Sequence, residues 1–342
     1  MSGSRCTFTV NGEEIQANVG DTLVEAALGG RIVLPHDCCT GTCETCRVRV
    51  VSGEIDDIGT AEKGTVLGCL SVLQGDAEIT FDPVPLVSTI KGKVETIRDI
   101  SPGYLEVRVR MEKKFTWLAG QYIRATFAGF PSRDYSPTTP LALDAEEDVL
   151  LFHIKIYPNS IVSSQFNNKI KPGHDVKIKG PFGNGFIRNQ PEPMLLTSTG
   201  TGFAPIWAIA VSAVLGQPSR ELKMIVGARE TEGLYMKEAI RWLRNRGVDV
   251  LVTASDGDGA QVLTERPYEL IQGLTEDHVV YSAGAPSHVE ATRQVARMAG
   301  ATFYADPFFV AEKSSSLSGL VSSFFSKLKS PFSPPPQDPD QN

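Results

Sequence analysis

A chain of 342 residues, 41% hydrophobic and 21% charged, has the make-up of a soluble globular protein with length for two or three domains. Its net charge of −7 argues against nucleic acid or an anionic membrane as the main partner. Six cysteines in so long a chain do not make a disulfide scaffold, and Met1-Ser2-Gly3-Ser4-Arg5 lacks the apolar core of a signal peptide. The longest apolar stretch, Pro205 to Gly216, is too short to span a bilayer, so a reducing cytoplasm is the expected compartment.

The first elements are strands at 6–10 and 15–19 around Asn11-Gly12, a hairpin turn signal. Thr22-Leu23-Val24-Glu25 is a capping box that opens a short helix through Leu28. Next comes His36-Asp37-Cys38-Cys39-Thr40-Gly41-Thr42-Cys43-Glu44-Thr45-Cys46, followed further on by Leu67-Gly68-Cys69-Leu70. Cys38, Cys43, Cys46 and Cys69 fall at the C-x4-C-x2-C…C spacing of a plant-type [2Fe–2S] cluster. A structural zinc site is the rival, but zinc prefers paired knuckles, and Cys43/Cys46 make only one. Cys39 would give a shorter first spacing than Cys38, so Cys38 is the expected ligand. Gly41 suits a loop that must turn tightly over an ion cage. An alternating strand at 46–51 follows; strand, strand, helix, metal loop, strand is the order of a β-grasp ferredoxin domain, residues 1–82.

Pro83-Val84-Pro85 breaks the chain, and residues 83–88 read as a linker. From 89 to 188, short alternating segments such as Leu105–Arg110 and Tyr122–Phe127 between Gly and Pro turns predict a small antiparallel β-barrel. From 189 to 312 the pattern changes. Strands at 194–197, 222–226, 248–253 and 278–282 alternate with helices at 203–215, 236–244 and 287–299. That alternation predicts a doubly wound parallel sheet, and the whole chain reads as a multidomain α+β and α/β protein. Residues 313–342 form a Ser/Pro-rich tail. In it Leu317, Leu320, Val321, Phe324, Phe325 and Leu328 make one helical stripe, expected to pack on its own domain or to dock a partner.

Two further motifs carry a resemblance. Arg133-Asp134-Tyr135-Ser136 is similar to the R-x-Y-S flavin signature, and Thr199-Gly200-Thr201-Gly202-Phe203-Ala204-Pro205 to the G-T-G-x-A-P nicotinamide loop. With the N-terminal ferredoxin, the order resembles the reductase components of bacterial ring-hydroxylating dioxygenases, of the naphthalene and terephthalate types. The resemblance covers about residues 6–311 and includes Gly227-Ala228-Arg229, Gly233-Leu234-Tyr235 and Tyr304-Ala305-Asp306.

This resemblance implies FAD and NADH as cofactors beside the cluster. Arg133 would pair with the FAD pyrophosphate, Tyr135 would lie on the isoalloxazine, and Ser136 would approach its N5 edge. His153, Lys155 and Ser163 stand where the family contacts the diphosphate and adenosine, although His153 also reads as a packed strand residue. Phe308 matches an aromatic near the flavin face. Gly200, Thr201 and Gly202 sit between strand and helix, where backbone meets a pyrophosphate, and Gly284 belongs to the motif near the nicotinamide. Arg229 suggests recognition of a 2′-phosphate and Glu230 of a ribose hydroxyl; the resemblance tilts the choice to NADH.

Four positions depart from the family pattern. Pro158-Asn159-Ser160 stands for a Gly-Gly turn, Ala283 for a cysteine, Asp134 for a neutral residue and Glu44 for a small one. The implied function is electron transfer from NADH through FAD and the cluster to a terminal oxygenase or intermediate ferredoxin, with the chain a monomer. Two rival readings are the reductase of a di-iron monooxygenase or deoxysugar dehydratase system, and a ferredoxin-type carrier whose flavin half is only a scaffold.

Overall fold

A computed structural model describes residues 4–257 and 262–309; the predicted tail helix lies outside the described residues. Everything described up to Phe308 belongs to one compact unit built on three sheets. Strands β1 (Arg5–Val10) and β2 (Glu13–Asn18) pair through Asn11 and Gly12, both at positive φ (49° and 82°), the geometry that lets a two-residue turn follow strand twist. Helix α1 (Leu23–Gly29) starts at the capping box, with Glu25 N–H donating to the Thr22 hydroxyl and Thr22 N–H to the Glu25 carboxylate. With β3 (Arg47–Asp56), β4 (Thr65–Leu67) and β5 (Val72–Thr80) the sheet has the order β2-β1-β5-β3-β4. Phe8, Leu23, Leu34, Leu73 and Ile79 fill its core.

The second sheet contains β6 (Ser88–Ser101), β7 (Tyr104–Met111), β8 (Tyr122–Phe127), β9 (Arg133–Tyr135), β10 (Val149–Lys155) and β11 (Asp175–Phe182). Its order is β10-β7-β6-β11-β8-β9 and every pairing is antiparallel. The expected barrel is a half-barrel: its two edges meet only through an isolated bridge between Thr138 and Leu151. Alternation along β7 and β8 sends Val107, Val109, Ile123 and Phe127 inward.

The third sheet is parallel, β14-β13-β12-β15-β16, from β12 (Met194–Thr199), β13 (Leu222–Ala228), β14 (Asp249–Ala254), β15 (Val279–Gly284) and β16 (Thr302–Pro307). Helices α2 (Phe203–Gly216), α3 (Lys237–Arg244) and α4 (Pro286–Met298) complete it. Two cores account for its unbroken apolar strands. One, around Leu196, Trp207 and Tyr281, covers one face; the other, around Leu195, Ile225 and Ala296, covers the opposite face. The chain reverses its winding at β12, which lies between β13 and β15, so the crevice at their carboxyl ends is where such a sheet takes a ligand.

Replacing Thr22 by Ala should remove the hydroxyl that accepts from Glu25 N–H, leaving the backbone arm of the capping box, and lower thermal stability by about 1 kcal/mol. Calorimetry with an unshifted midpoint would show that α1 does not depend on its cap.

Candidate functional site

The loop between α1 and β3 carries three of the four predicted cluster cysteines. Cys39, Gly41 and Glu44 all have positive φ (53°, 78° and 54°), and three such residues in so short a run coil the backbone tightly. At Gly41, with φ 78°, a side-chain carbon would fall 2.7 Å from Leu70 Cδ1, so glycine suits a loop that passes close to the segment carrying Cys69. Cys38 Sγ accepts N–H donors from Thr40 and Cys43, each at 3.4 Å. Its thiol is pushed down to about 4, by the facing Cys43 thiol and by these donors. Contact with Cys38, then burial, pushes Cys43 up; burial pushes Cys46, which faces Cys69, up to about 12. Cys38 thus faces Cys43, from whose N–H it accepts, and Cys46 lies beside Cys69. A centre of two irons taking two thiolates each fits this arrangement, and amide donors aimed at sulfur favour the thiolate ligand form.

The loop is seated on both other sheets. Asp37, directly before Cys38, accepts from Tyr122 Oη at 2.9 Å and from both terminal nitrogens of Arg124 at 3.1 and 3.0 Å. Arg124 also donates to Asp134 at 2.8 and 3.1 Å, and its guanidinium lies over the Phe182 ring. Gly183 N–H donates to the buried Thr45 hydroxyl at 3.0 Å. On the other flank Arg293 of α4 donates to Glu44 at 2.8 Å and to Glu62 at 3.2 Å, while Arg47 lies 3.5 and 3.8 Å from the same two carboxylates. Cys39, Thr40 and Thr42 at the tip stay exposed.

The predicted flavin residues fall into two groups. Arg133, on β9, donates only to the Ser132 carbonyl, and among the described residues its guanidinium meets no carboxylate. Tyr135 packs on Phe127 and Phe152, and burial raises its hydroxyl's pKa. Ser136 donates to Asp306 on β16, and Phe308 N–H donates to Gly284 O at 2.7 Å. Lys155 lies elsewhere, its ammonium over the rings of Tyr104 and Tyr157, and the Ser163 hydroxyl accepts from Tyr157 N–H at 3.1 Å. His153 is buried between the strands and the third sheet, its Nδ1 3.3 Å from Tyr235 Oη and its Nε2 3.9 Å from Glu106. Tyr235 in turn stacks on Tyr104. Ser160, in the turn that departs from the family, accepts N–H bonds from Val162 and Ser163 at 3.3 and 3.0 Å.

Beyond β12, Gly200 has φ 56° with open space before it, and no side chain caps the amino end of α2. A glycine turn that leads from a strand into a helix with no side-chain cap suits an anion. Gly202 packs so closely that a side-chain carbon would lie 2.3 Å from Ala283 O. Thr201 is half-buried, and the Thr199 hydroxyl accepts from Ala285 N–H at 3.0 Å, fixing Gly284 against the loop. A small cleft lined by Gly200, Gly227, Gly233, Leu234 and Tyr235 opens beside it. Arg229 and Glu230 are exposed at the end of β13. These features fit a dinucleotide whose pyrophosphate rests on α2.

Comparison with known proteins agrees with this geometry. Residues 8–74 match the 2Fe-2S iron-sulfur cluster binding domain family and residues 91–186 the oxidoreductase FAD-binding domain family. The chain is 31% identical over 248 residues to the reductase subunit of an aromatic O-demethylase from an Amycolatopsis species, covering 66% of this chain and 73% of that one. The chain belongs to the iron–sulfur flavoprotein reductase family. The reductase component of the naphthalene 1,2-dioxygenase system of Pseudomonas putida is 28% identical over 322 residues, 87% of this chain and 97% of its own. A crystal structure of an Amycolatopsis cytochrome P450 reductase shares the fold, with a TM-score of 0.66 at 24% identity over 90% of this chain and all of that one.

Two features of this reductase were out of reach of motif reading. The seat of the cluster loop joins residues far apart in sequence, and only the charge of Asp134 and Glu44 hinted at it. Asp306 was visible only as part of an ending motif. Burial pushes its carboxyl up to about 7, while the Ser136 hydroxyl pulls the other way. A raised carboxyl pKa means the fold favours the protonated form. Its contribution to stability is complete below the ordinary carboxylate range and is lost as pH rises through about 7. Asp306→Asn should therefore raise the melting temperature at about pH 8, with a smaller gain at about pH 5.5. An equal change at both pH values would contradict the assignment.

Proposed function

We propose that the chain is the NADH-dependent reductase of an aromatic-compound oxygenase system, with a terminal oxygenase or an intermediate ferredoxin as acceptor. The observation that carries this reading is the cluster loop's double seat, on the half-barrel through Arg124 and on the nucleotide sheet through Arg293. Bound FAD would supply the conversion of a two-electron hydride from NADH into single electrons, and a [2Fe–2S] cluster their one-electron relay to the acceptor.

The chain's own residues bind and orient. Cys38, Cys43, Cys46 and Cys69 are the cluster ligands in this reading. The unpaired fork of Arg133 takes the FAD pyrophosphate, with Lys155 and Ser163 nearer the adenosine and His153 buttressing the wall between them. Tyr135 and Phe308 bound the isoalloxazine, and Ser136, held by Asp306, faces its reacting edge. Gly200, Thr201, Gly202 and Gly284 admit the nicotinamide dinucleotide, whose ribose end meets Glu230 and Arg229. No side-chain nucleophile is required.

The working division is a ferredoxin module at 1–82, a connection at 83–88, a flavin module at 89–188 and a nicotinamide module at 189–312. A cytoplasmic monomer completes the reading, and among the described residues no helix is long and apolar enough to cross a membrane.

Anaerobic NADH should bleach the flavin absorption and then produce the electron resonance signal of a reduced [2Fe–2S] cluster. A cluster that stays oxidised under a bleached flavin would overturn the route. Arg133→Ala should weaken FAD binding roughly ten- to a hundredfold, the worth of a charge-assisted pair; fluorescence titration with unchanged affinity would remove Arg133 from the site.

A further inference from the structure

We propose that Arg124 and Arg293 are positioning residues for the internal electron transfer, gripping the cluster loop at its two flanks so that its exposed tip alone is left for the acceptor. This inference rests on the function proposed above. The grip takes hold within one or two residues of three cluster cysteines: Asp37 adjoins Cys38, and Glu44 lies between Cys43 and Cys46. Asp37's side chain is 6% exposed, and its carboxylate takes both arms of the Arg124 fork plus the Tyr122 hydroxyl. A buried carboxylate held by a two-pronged guanidinium is directional, because losing the partner leaves a charge out of water. Arg293 is 20% exposed and spans Glu44 and Glu62, with its guanidinium over the Phe303 ring.

Beyond the loop, Arg293 meets Glu290 of its own helix at 3.6 Å and Arg124 meets Asp134. Arg124's second partner, Asp134, sits within the flavin signature, so the arginine joins the strand beginning at Arg133 to the cluster loop. Arg293 lies on the helix that follows Gly284, so the nicotinamide side is tied to the same loop. Electron transfer falls steeply with separation, and a displacement of a single ångström at a reacting centre can matter greatly. The step positioned here moves one electron. It would pass from reduced FAD to the cluster and on to the acceptor before a second followed, so that two rounds discharge one hydride, its proton passing to solvent.

The geometry also sets what the acceptor can touch. Both loop carboxylates are committed internally, whereas Cys39, Thr40 and Thr42 are exposed and uncharged. Electrons then leave through the tip while the flanks stay docked.

The test uses the full chain carrying both cofactors, with Arg124→Gln, Arg293→Gln, their combination, and the Lys variant at each position. Rates are compared per bound FAD and per bound iron. After anaerobic rapid mixing with NADH, flavin bleaching in the double Gln variant should stay within about twofold of the parent, whereas cluster reduction should slow roughly tenfold or more. Hydrogen exchange should show backbone amides 37–46 losing protection in the same variant, a readout that does not depend on turnover. Arg293→Lys should recover much of the rate, since a point charge still meets Glu44 and Glu62. Arg124→Lys should recover little, since Lys cannot make the fork. Unchanged cluster reduction with unchanged exchange would overturn the proposal. Equal slowing of flavin and cluster would also overturn it, by showing general damage rather than positioning. Failure of the parent chain to bleach its flavin would instead refute the underlying function.

Discussion

The carboxylate of Asp37, shut away from water and held by the guanidinium of Arg124, is the contact on which the arrangement depends. A charge so enclosed is tolerated only while its partner is in place. Because the next residue is Cys38, the pair fixes where the cluster loop meets the half-barrel. The Thr45–Gly183 bond and the Arg293 bridge extend that seat along the loop. Three sheets that might have worked as beads on a string thus share a single buried seam.

Other contacts strengthen the seam in ways that serve the chemistry. Arg188 joins the segment after β11 to Asp82 at 2.7 Å and stacks over both Phe186 and Tyr304. Thr138 donates to Ala204 O at 2.6 Å and Trp207 to Thr139 O at 2.9 Å, so the chain just past Ser136 is pinned to the start of α2. The flavin signature and the nicotinamide loop are therefore held edge to edge, with Ser136, Asp306, Gly284 and Phe308 meeting at the join. A hydride donor and acceptor need that proximity, and an electron exit needs the cluster nearby but partly uncovered.

Local signals carried much of this into the sequence. The Asn11-Gly12 turn, the Thr22–Glu25 box and the change from period-two strands to strand–helix alternation each depend on a few neighbouring residues, and the structure has each where the spacing puts it. What depended on distant partners was illegible. Asp134 looked like an intrusive charge at a phosphate site; β8–β9 pairing places it on Arg124 instead. Glu44 looked like a bare charge beside the cluster, but Arg293 and Arg47 face it. Pro158-Asn159-Ser160 stands for a Gly-Gly turn, yet the Ser160 hydroxyl accepts from the amides of Val162 and Ser163, a local bond that no residue pattern announced. The antiparallel barrel was legible in the alternation, which reports the buried face of each strand; that its edges meet through the Thr138–Leu151 bridge was not.

The most direct test of the account is a metal and sulfide analysis of freshly purified protein. Two irons and two acid-labile sulfides per chain, bound as a [2Fe–2S] cluster, are the result it predicts. Zinc, or iron without sulfide, would contradict it, since the loop on which the whole seam is built would then have nothing to carry.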